Sequence, residues 1–361
     1  MKIESLKLKN FRNYDLLSVN FDESTNIFYG DNAQGKTNIL EAVYVSGTTK
    51  SHRGTKDKDL IRFGIDESHI ETVVEKNGIK YQIDMHLKKN SPKGIAINKI
   101  PIKKASELFG IINIVFFSPE DLNIIKNGPG ERRRFIDLEL SQLDKVYLSN
   151  LSNYNRIVNQ RNHLLKDIGY DEAKLQTLDI WDMQLILYGS KIIERRKTFI
   201  REINKIISGI HKKLTGNKET IQIIYEPSNG QSTLEQALNK NKQKDLKIKS
   251  TSVGPHRDDI AFMAGNIDIR KYGSQGQQRT AALSLKLAEI ELVKQSINDT
   301  PVLLLDDVLS ELDKHRQNYL LDSIHDIQTL ITCTGVDEFV NHRFSVNKVF
   351  YVENGQVAKE N

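Results

Sequence analysis

The segment at residues 30–37 constrains this chain most, because it reads G-x-x-x-x-G-K-T. This pattern is typical of a phosphate-binding loop, whose glycines let backbone amides turn toward phosphate oxygens. Thr25–Tyr29 predicts a buried strand before the loop, and the residues from Asn38 predict a helix whose N-terminus favours anions. Lys36 is expected to reach the β- and γ-phosphates of ATP, and the hydroxyl of Thr37 to ligate Mg²⁺. The predicted nucleotide-binding residues of the loop are Gly30, Asp31, Asn32, Ala33, Gln34, Gly35, Lys36 and Thr37.

An acidic strand end far downstream is the expected partner of such a loop. Residues 302–307 form an apolar run that ends in Asp306 and Asp307, and buried carboxylates in such a place favour a nearby cation. Asp306 is predicted to hold Mg²⁺, and Asp307 to be the catalytic residue that acts on the attacking water. Ser310 and Asp313 follow in an S-x-L-D pattern, which predicts the D-loop of ATP-binding-cassette ATPases.

A second phosphate-binding end is predicted where Ser274, Gln275, Gly276 and Gln277 precede a helix. In ATP-binding-cassette ATPases this position holds the LSGGQ signature, of which the serine, the second glycine and the glutamine are kept here. One site cannot use both ends on a single γ-phosphate, whereas two subunits that face head to tail can. The pattern therefore predicts an ATP-dependent homodimer, and a glycine turn that only caps a helix is the alternative.

Strand-like patterning dominates the chain up to residue 118. A hairpin is predicted around Asn77 and Gly78, since Asn-Gly between two β-like runs is a strong turn signal. Residues 94–100 and 111–117 are expected to continue the same sheet. The result is predicted to be a β-rich lobe with the phosphate-binding loop at its edge.

Helical periodicity replaces the strand pattern after residue 121. Apolar residues from Ile136 to Val158 predict one long helix, and the run from Leu178 to Ile210 predicts its antiparallel partner in a short hairpin. Residues 239–249 predict a basic, polar connector. We therefore predict an α/β (α+β) head made of residues 1–118 plus 245–361, with an inserted, mainly helical subdomain at residues 119–244.

Composition limits the classes of function that remain open. The chain has 361 residues and a formal net charge of +5, which permits a nucleic-acid partner without requiring one. The single cysteine, Cys333, excludes a disulfide framework and a zinc cluster, and so favours the cytoplasm. No apolar run is long enough to cross a bilayer, so no membrane partner is expected.

Basic residues in two stretches of the chain are the candidates for contact with DNA phosphates. The candidates are Arg132, Arg133, Arg134, Lys56 and Lys58. A solvated helix start is the alternative for the arginine run, because basic residues there oppose the helix dipole. Arg12 is a candidate contact for nucleotide, and a surface arginine is its alternative.

The set of motifs resembles the RecF family of bacterial recombination-mediator ATPases over essentially the full chain. The matching stretches are residues 8–14, 30–37, 51–53, 117–122, 128–135, 254–259, 273–280 and 304–313. The resemblance implies an ATP-binding-cassette head with two subdomains, ATP and Mg²⁺ as cofactors, and ATP-dependent dimerisation. It further implies binding to double-stranded DNA near single-strand gaps, weak DNA-dependent ATP hydrolysis, and work with RecR and RecO to load RecA.

Two departures from the general ATP-binding-cassette pattern predict slow hydrolysis. The residue after Asp306 is Asp307 where a glutamate is usual, and no switch histidine follows the strand that ends near Cys333. No Q-loop glutamine is identified, and His256 and Arg257 have no assigned role. Two alternatives remain: a P-loop kinase, which needs neither signature nor D-loop, and a tether like SMC or Rad50, which needs a much longer coiled coil.

Overall fold

Strands and helices alternate along the chain in the computed structural model, which describes residues 1–168, 172–335 and 347–360. Within these residues the strands are β1 (Lys2–Phe11), β2 (Tyr14–Asn20), β3 (Thr25–Tyr29), β4 (Glu67–Lys76), β5 (Ile79–Lys88), β6 (Ser91–Ile97), β7 (Ile100–Pro101), β8 (Ile114–Phe117), β9 (Ile221–Glu226), β10 (Asp259–Ala264), β11 (Ile267–Asp268), β12 (Val302–Asp306), β13 (Thr329–Cys333), β14 (Lys348–Glu353) and β15 (Gln356–Glu360). The α-helices there are α1 (Lys36–Thr48), α2 (Leu122–Lys126), α3 (Pro129–Leu143), α4 (Lys145–Asp167), α5 (Glu172–Leu214), α6 (Leu234–Ile248), α7 (Ile269–Tyr272), α8 (Gln275–Ile297) and α9 (Lys314–Ser323).

The chain divides into two compact units. The first comprises Met1–Asp121 and Lys286–Asn361, and the second comprises Leu122–Leu285. The second unit thus extends well past residue 244, where the sequence places the end of the helical subdomain. The reason is strand pairing, because β10 pairs with β9 and β11 in a small antiparallel sheet of the second unit.

A mostly parallel sheet positions the candidate site in the first unit. Its strand order is β15-β14-β3-β13-β12-β8, so β13 alone separates the strand before the phosphate-binding loop from the acidic strand. β12 and β13 are buried along their whole lengths, as strands covered on both faces are. The strand before the loop, β3, lies inside this sheet. The expected continuation of one sheet through residues 111–117 is wrong, because β8 pairs in parallel with β12.

An antiparallel sheet forms the rest of the first unit, in the order β2-β1-β4-β5-β6-β7. The predicted hairpin is confirmed: β4 and β5 pair from Lys76 opposite Ile79, and Asn77 and Gly78 both have positive φ angles. Helix α1 contacts strands of both sheets. At Gly47 the helix packs close to β8, since an added Cβ would lie 2.5 Å from the Cδ1 of Ile114. The helix that follows the phosphate-binding loop is therefore fixed between two sheets.

Helices α3, α4 and α5 dominate the second unit, and α4 and α5 form the predicted antiparallel hairpin. The prediction of a single long helix from Ile136 to Val158 is wrong, because the helix is interrupted at Asp144. This residue is extended, with φ −140°, and its carboxylate accepts hydrogen bonds from the amides of Val146 and Tyr147, both at 2.9 Å. Asp144 is thus the N-cap of a new helix.

Helix α6 replaces the connector expected at residues 239–249. A capping box of Thr233 and Gln236 begins the helix, and Asp245 on its inner face is fully buried. Arg161 of α4 donates to Asp245 at 2.7 Å and to Asp182 of α5 at 2.5 Å, so one buried guanidinium joins three helices. No helix in the described ranges combines the length and apolar character required to cross a membrane. The predicted α/β fold with an inserted helical hairpin is confirmed.

Candidate nucleotide site

The loop at residues 30–37 curls around the side chain of Lys36, which belongs to the same loop. The Nζ of Lys36 donates to the carbonyl oxygens of Gly30 at 2.6 Å and Asp31 at 2.8 Å, and the residue is 8% exposed. Burial lowers the pKa of Lys36, while the carboxylates of Asp307 and Asp306 favour its charged form. No side chain caps the N-terminus of α1, which leaves the first amides of the helix for an anion.

Side chains from both ends of the first unit brace the loop. Tyr14 donates to the carbonyl of Gly35 at 3.1 Å, and Asn13 donates to that of Gln34 at 2.9 Å. The amide of Asn354 donates to the Gln34 side chain at 2.6 Å. Gly35 has φ 114°, and a Cβ there would lie 2.5 Å from the Asn13 side chain. Sequence reasoning missed these braces, because a loop motif does not identify its tertiary neighbours.

A single carboxylate links the loop to the acidic strand. The hydroxyls of Thr37 and Thr332 each donate to Oδ1 of Asp306 at 2.7 Å, so the structure brings the two predicted Mg²⁺ ligands together. Burial raises the pKa of Asp306, and the two hydroxyl hydrogen bonds and the charge of Arg53 oppose this rise. Arg53 is exposed and had been given no role from the sequence.

The donor set at this point fits Mg²⁺. A carboxylate and a hydroxyl are hard oxygen ligands, and Mg²⁺ in nucleotide sites usually takes one or two protein oxygens, substrate phosphates and waters. Among the described residues, no group of three or more His, Cys, Asp or Glu side chains could hold a metal.

Asp307 has an unusual backbone that ties it to the D-loop. Its φ is 52°, in the left-handed region, and its amide donates to the Thr332 hydroxyl at 3.1 Å. The hydroxyl of Ser310 donates to the Asp307 carbonyl at 2.8 Å and to its Oδ1 at 3.3 Å. Asp313 caps α9 by accepting from the Arg316 amide at 3.0 Å. The predicted catalytic residue and D-loop serine are thus in contact, whereas Asp313 holds a helix end.

Arg12 is occupied by the protein itself. Its Nε and Nη2 each donate to the carboxylate of Glu41 at 2.8 Å, and its Nη1 donates to the carbonyl of Asp59 at 2.7 Å. Burial disfavours the charged form of Glu41, but the hydrogen bonds from Arg12 and Ser51 outweigh burial and lower its pKa. The structure thus gives Arg12 the role of fixing α1 through Glu41, and its contact with nucleotide stays a prediction.

The signature segment lies in the second unit and forms a capping box. The amide of Gln277 bonds to the Ser274 hydroxyl at 3.2 Å, and the amide of Ser274 bonds to the Gln277 side chain at 2.9 Å. Gln277 also donates to Glu219 at 2.9 Å. Ser274, Gln275 and Gly276 are exposed. Within one chain this segment is therefore a helix cap that faces solvent.

The structure separates the five predicted DNA contacts. Arg132 is 4% exposed and bonds to both carboxylate oxygens of Asp259, at 2.5 and 3.1 Å, so its prediction as a DNA contact is corrected. Arg133 is half-buried and donates to the Asp258 carbonyl at 2.8 Å. Exposed side chains remain at three of the five positions, which are Arg134, Lys56 and Lys58.

His256, which the sequence left without a role, fastens the second unit. Its Nδ1 lies 2.7 Å from the Tyr154 hydroxyl, and its Nε2 lies 3.1 Å from the Thr251 carbonyl. Since a carbonyl only accepts, Nε2 carries the proton and Nδ1 accepts from Tyr154. Burial lowers the pKa of His256 to about 4. No local sequence signal could have indicated the bond to Tyr154, because that residue lies 102 positions away in the chain.

Comparisons with known proteins agree with this geometry. The family model described as the RecF/RecN/SMC N terminal domain matches residues 2–358. A protein from Lachnospira eligens named DNA replication and repair protein RecF is 65% identical over 363 residues, covering 100% of both chains. A protein of the same name from Agathobacter rectalis is 66% identical over 357 residues, covering 99% of both.

A solved structure extends the comparison to the fold. It is described as the recombination mediator protein RecF-ATP in the RecFOR pathway, and it matches with a TM-score of 0.93 at 35% identity. The match covers 99% of this chain and 97% of that chain. The resemblance read from the motifs is confirmed, and the chain belongs to the RecF family within the RecF/RecN/SMC proteins.

Proposed function

We propose that this chain is a recombination-mediator ATPase that binds ATP at the loop of residues 30–37 and hydrolyses it slowly as a switch. The observation that carries the proposal is the 2.7 Å contact between Thr37 and Asp306, which joins the phosphate-binding loop to the acidic strand. The relative described as RecF-ATP supports ATP as the nucleotide. The family match over residues 2–358 includes signature and D-loop, so the kinase alternative is not retained.

Each residue of the site has a distinct task. Lys36 exchanges its two carbonyl partners for phosphate oxygens, and Thr37 and Asp306 are the residues that would hold Mg²⁺. Bound Mg²⁺ neutralises charge on the phosphates. Asp307 orients or deprotonates the attacking water. Ser310 donates hydrogen bonds to Asp307 and so couples the position of this carboxylate to that of the D-loop. Because aspartate is shorter than the usual glutamate, hydrolysis is slow.

ATP closes a homodimer in this proposal. The exposed cap formed by Ser274, Gln275 and Gly276 meets the nucleotide held by a second copy of the chain, with Gln277 fixed behind it by Glu219. The closed dimer binds double-stranded DNA at gaps or junctions in the cytoplasm, associated with the nucleoid. By family, it works with RecR and RecO to load RecA. Helix α5 has 43 residues, or about 65 Å at 1.5 Å per residue, which is too short for an SMC-type tether.

Size-exclusion chromatography with light scattering tests the proposal. The purified chain is measured without nucleotide, with Mg-ADP and with a non-hydrolysable ATP analogue plus Mg²⁺. A dimer is expected only with the analogue, and Lys36→Ala is expected to remain monomeric because it loses the phosphate contact. A chain that binds the analogue by calorimetry yet stays monomeric would exclude ATP-driven closure.

A further inference from the structure

Helix α6 carries an uncompensated row of lysines on its outer face. Lys240, Lys244 and Lys247 are spaced i, i+4 and i+7, so they share one side of the helix, and all three are exposed. The opposite side, with Leu234, Leu238 and Asp245, is buried. By helical spacing the outward side also includes Gln236, Asn239 and Gln243, none of which carries a carboxylate.

The basic surface continues past the end of the helix. Lys249 is exposed and ends α6 in a left-handed conformation, with φ 55°. Exposed Arg257 contacts the two residues that follow Lys249, with Nη2 3.4 Å from the Ser250 hydroxyl and Nε 3.3 Å from the Thr251 carbonyl. We call Lys240, Lys244, Lys247, Lys249 and Arg257 the basic band.

Two acidic residues next to the band in sequence, Asp245 and Asp258, face inward and have partners there, whereas the exposed Glu235 is in the first turn of α6 and, by helical spacing, lies away from the lysine row. Asp245 bonds to Arg161 at 2.7 Å, and Asp258 accepts from Tyr225 and, at 2.7 Å, from the amide of Ser228. Lys242, on the flank of α6, pairs with Asp179 at 2.5 Å. Within the described part of the chain, by contrast, no member of the basic band forms an ion pair.

Arg133 lies within electrostatic reach of Arg257. Burial lowers the pKa of the Arg133 guanidinium, and the charges of Arg196 and Arg257 lower it further, while the carboxylates of Asp259 and Asp137 oppose this shift. An ordinary solvated helix face mixes acids and bases at i, i+4 spacing, which relieves repulsion between like charges such as those of Lys240, Lys244 and Lys247. A polyanion laid along this surface would relieve it as well.

We propose that the basic band binds the phosphate backbone of double-stranded DNA; the inference rests on the proposed function and assigns its DNA surface. Lys240 and Lys247 are seven residues apart, or about 10 Å along the helix, a length over which one strand presents about three phosphates. Residues 234–257 contain no Phe, Tyr or Trp. Single-stranded DNA is held largely by bases stacked on aromatic side chains, so the surface suits a duplex.

The salt dependence of duplex binding tests the band. The full chain, with a non-hydrolysable ATP analogue and Mg²⁺, is titrated with a labelled duplex at several salt concentrations, and log K is plotted against log salt. The variant K240Q/K244Q/K247Q is expected to reduce the magnitude of the slope by about 2.7, which is about 0.9 for each of three phosphates. The variant K240R/K244R/K247R keeps the charges and should keep the wild-type slope.

A matched control changes the same net charge elsewhere. Lys88, Lys103 and Lys104 are exposed residues of the first unit, and K88Q/K103Q/K104Q should leave the slope unchanged. Binding of the ATP analogue, measured on each variant, reports folding. The band is refuted if the α6 glutamine variant keeps the wild-type slope, if the control lowers the slope equally, or if the arginine variant loses it too. A wild-type chain that binds no duplex would refute the proposed function together with the band.

Discussion

Asp306 accepts hydrogen bonds from Thr37 and Thr332, so the phosphate-binding loop and two strands meet at one carboxylate. The next residue, Asp307, leaves the strand with a positive φ angle, which turns the chain where β12 ends. Two neighbouring acids therefore have different surroundings. Asp306 is buried with two hydroxyl partners, whereas Asp307 is less buried and is bonded to the D-loop serine.

Asparagine substitutions are expected to separate the roles of the two acids. Asp306→Asn removes a charge that holds Mg²⁺, so it should weaken Mg-ATP binding and prevent closure of the dimer. Asp307→Asn should still bind ATP and still close, while hydrolysis slows on the order of a hundred- to ten-thousand-fold through loss of a positioned base. Calorimetry, light scattering and phosphate release measure the three properties.

The closed dimer of Asp307→Asn should accumulate on DNA and dissociate slowly. Ser310→Ala is the matched control, because it removes the hydrogen bond to Asp307 and leaves the carboxylate. A wild-type rate of hydrolysis in Asp307→Asn would assign the base to another group.

The residues of the nucleotide-site motifs could be located from the sequence, and the residues that support them could not. Lys36, Thr37 and Asp306 belong to motifs whose spacing is set by the phosphate and the metal. Asn13, Tyr14 and Asn354 brace the same loop, but they reach it through sheet pairing that no local pattern contains. The buried pairing of Arg132 with Asp259 was hidden for the same reason.

Secondary-structure elements show how tertiary contacts override a local pattern. The helical spacing of apolar residues continues across Asp144, yet the helix ends there because the carboxylate of Asp144 can cap a new helix. The lysine-rich stretch of α6 has the composition of a connector, yet it forms a helix. In this helix Asp245 faces inward and accepts a hydrogen bond from Arg161. Charge content alone could not distinguish a solvated linker from a helix with one buried acid.

The signature helix gives a prediction at this scale. Ser274→Arg places a bulky cation at the exposed cap and should leave ATP binding by the monomer intact, since the loop is unchanged. It should abolish the ATP-induced dimer, as measured by light scattering. Ser274→Ala controls for the lost cap, which costs about 1 kcal/mol, and should weaken dimerisation without abolishing it. Normal dimerisation of Ser274→Arg would mean that Ser274 only caps the helix and makes no contact across the dimer.

His256 makes the stability of the chain depend on pH. Its pKa is about 4 when folded and about 6.5 in the unfolded chain, so between these values the unfolded state binds more protons. Its contribution is therefore complete above pH 6.5 and is lost as pH falls toward 4, by up to about 1.4 kcal/mol per pH unit.

Denaturant unfolding of His256→Gln across this range checks the effect. The variant should be less stable than wild type at pH 7.5, and the difference should shrink as pH falls to 4. His163→Gln, at an exposed position of α4, corrects for the loss of one histidine. A difference that is constant with pH would mean that His256 is not held neutral in the folded chain.

At the scale of the whole molecule, the order of motifs along the sequence was enough to predict the family. The division into two units depends instead on which strands pair with one another. The signature segment belongs to the second unit, but the sequence had grouped it with the phosphate-binding loop. The difference follows from the pairing of β10 with β9 and β11, which places these strands in the small sheet of the second unit. Sequence patterns identify strands more readily than they identify the neighbours of strands.

The proposed clamp predicts a reciprocal coupling between ATP and DNA, because one closed dimer binds both ligands. If a non-hydrolysable ATP analogue tightens duplex binding by some factor, duplex must tighten binding of the analogue by the same factor. Couplings of this kind are typically about 5- to 150-fold. Fluorescence anisotropy with labelled duplex gives one factor and calorimetry at saturating duplex gives the other, at a fixed salt concentration. In Ser274→Arg both factors should fall to about one, since each ligand then binds without closure. Duplex binding by the wild-type chain that is equally tight with and without the analogue would show that ATP does not gate DNA, whatever surface the DNA occupies.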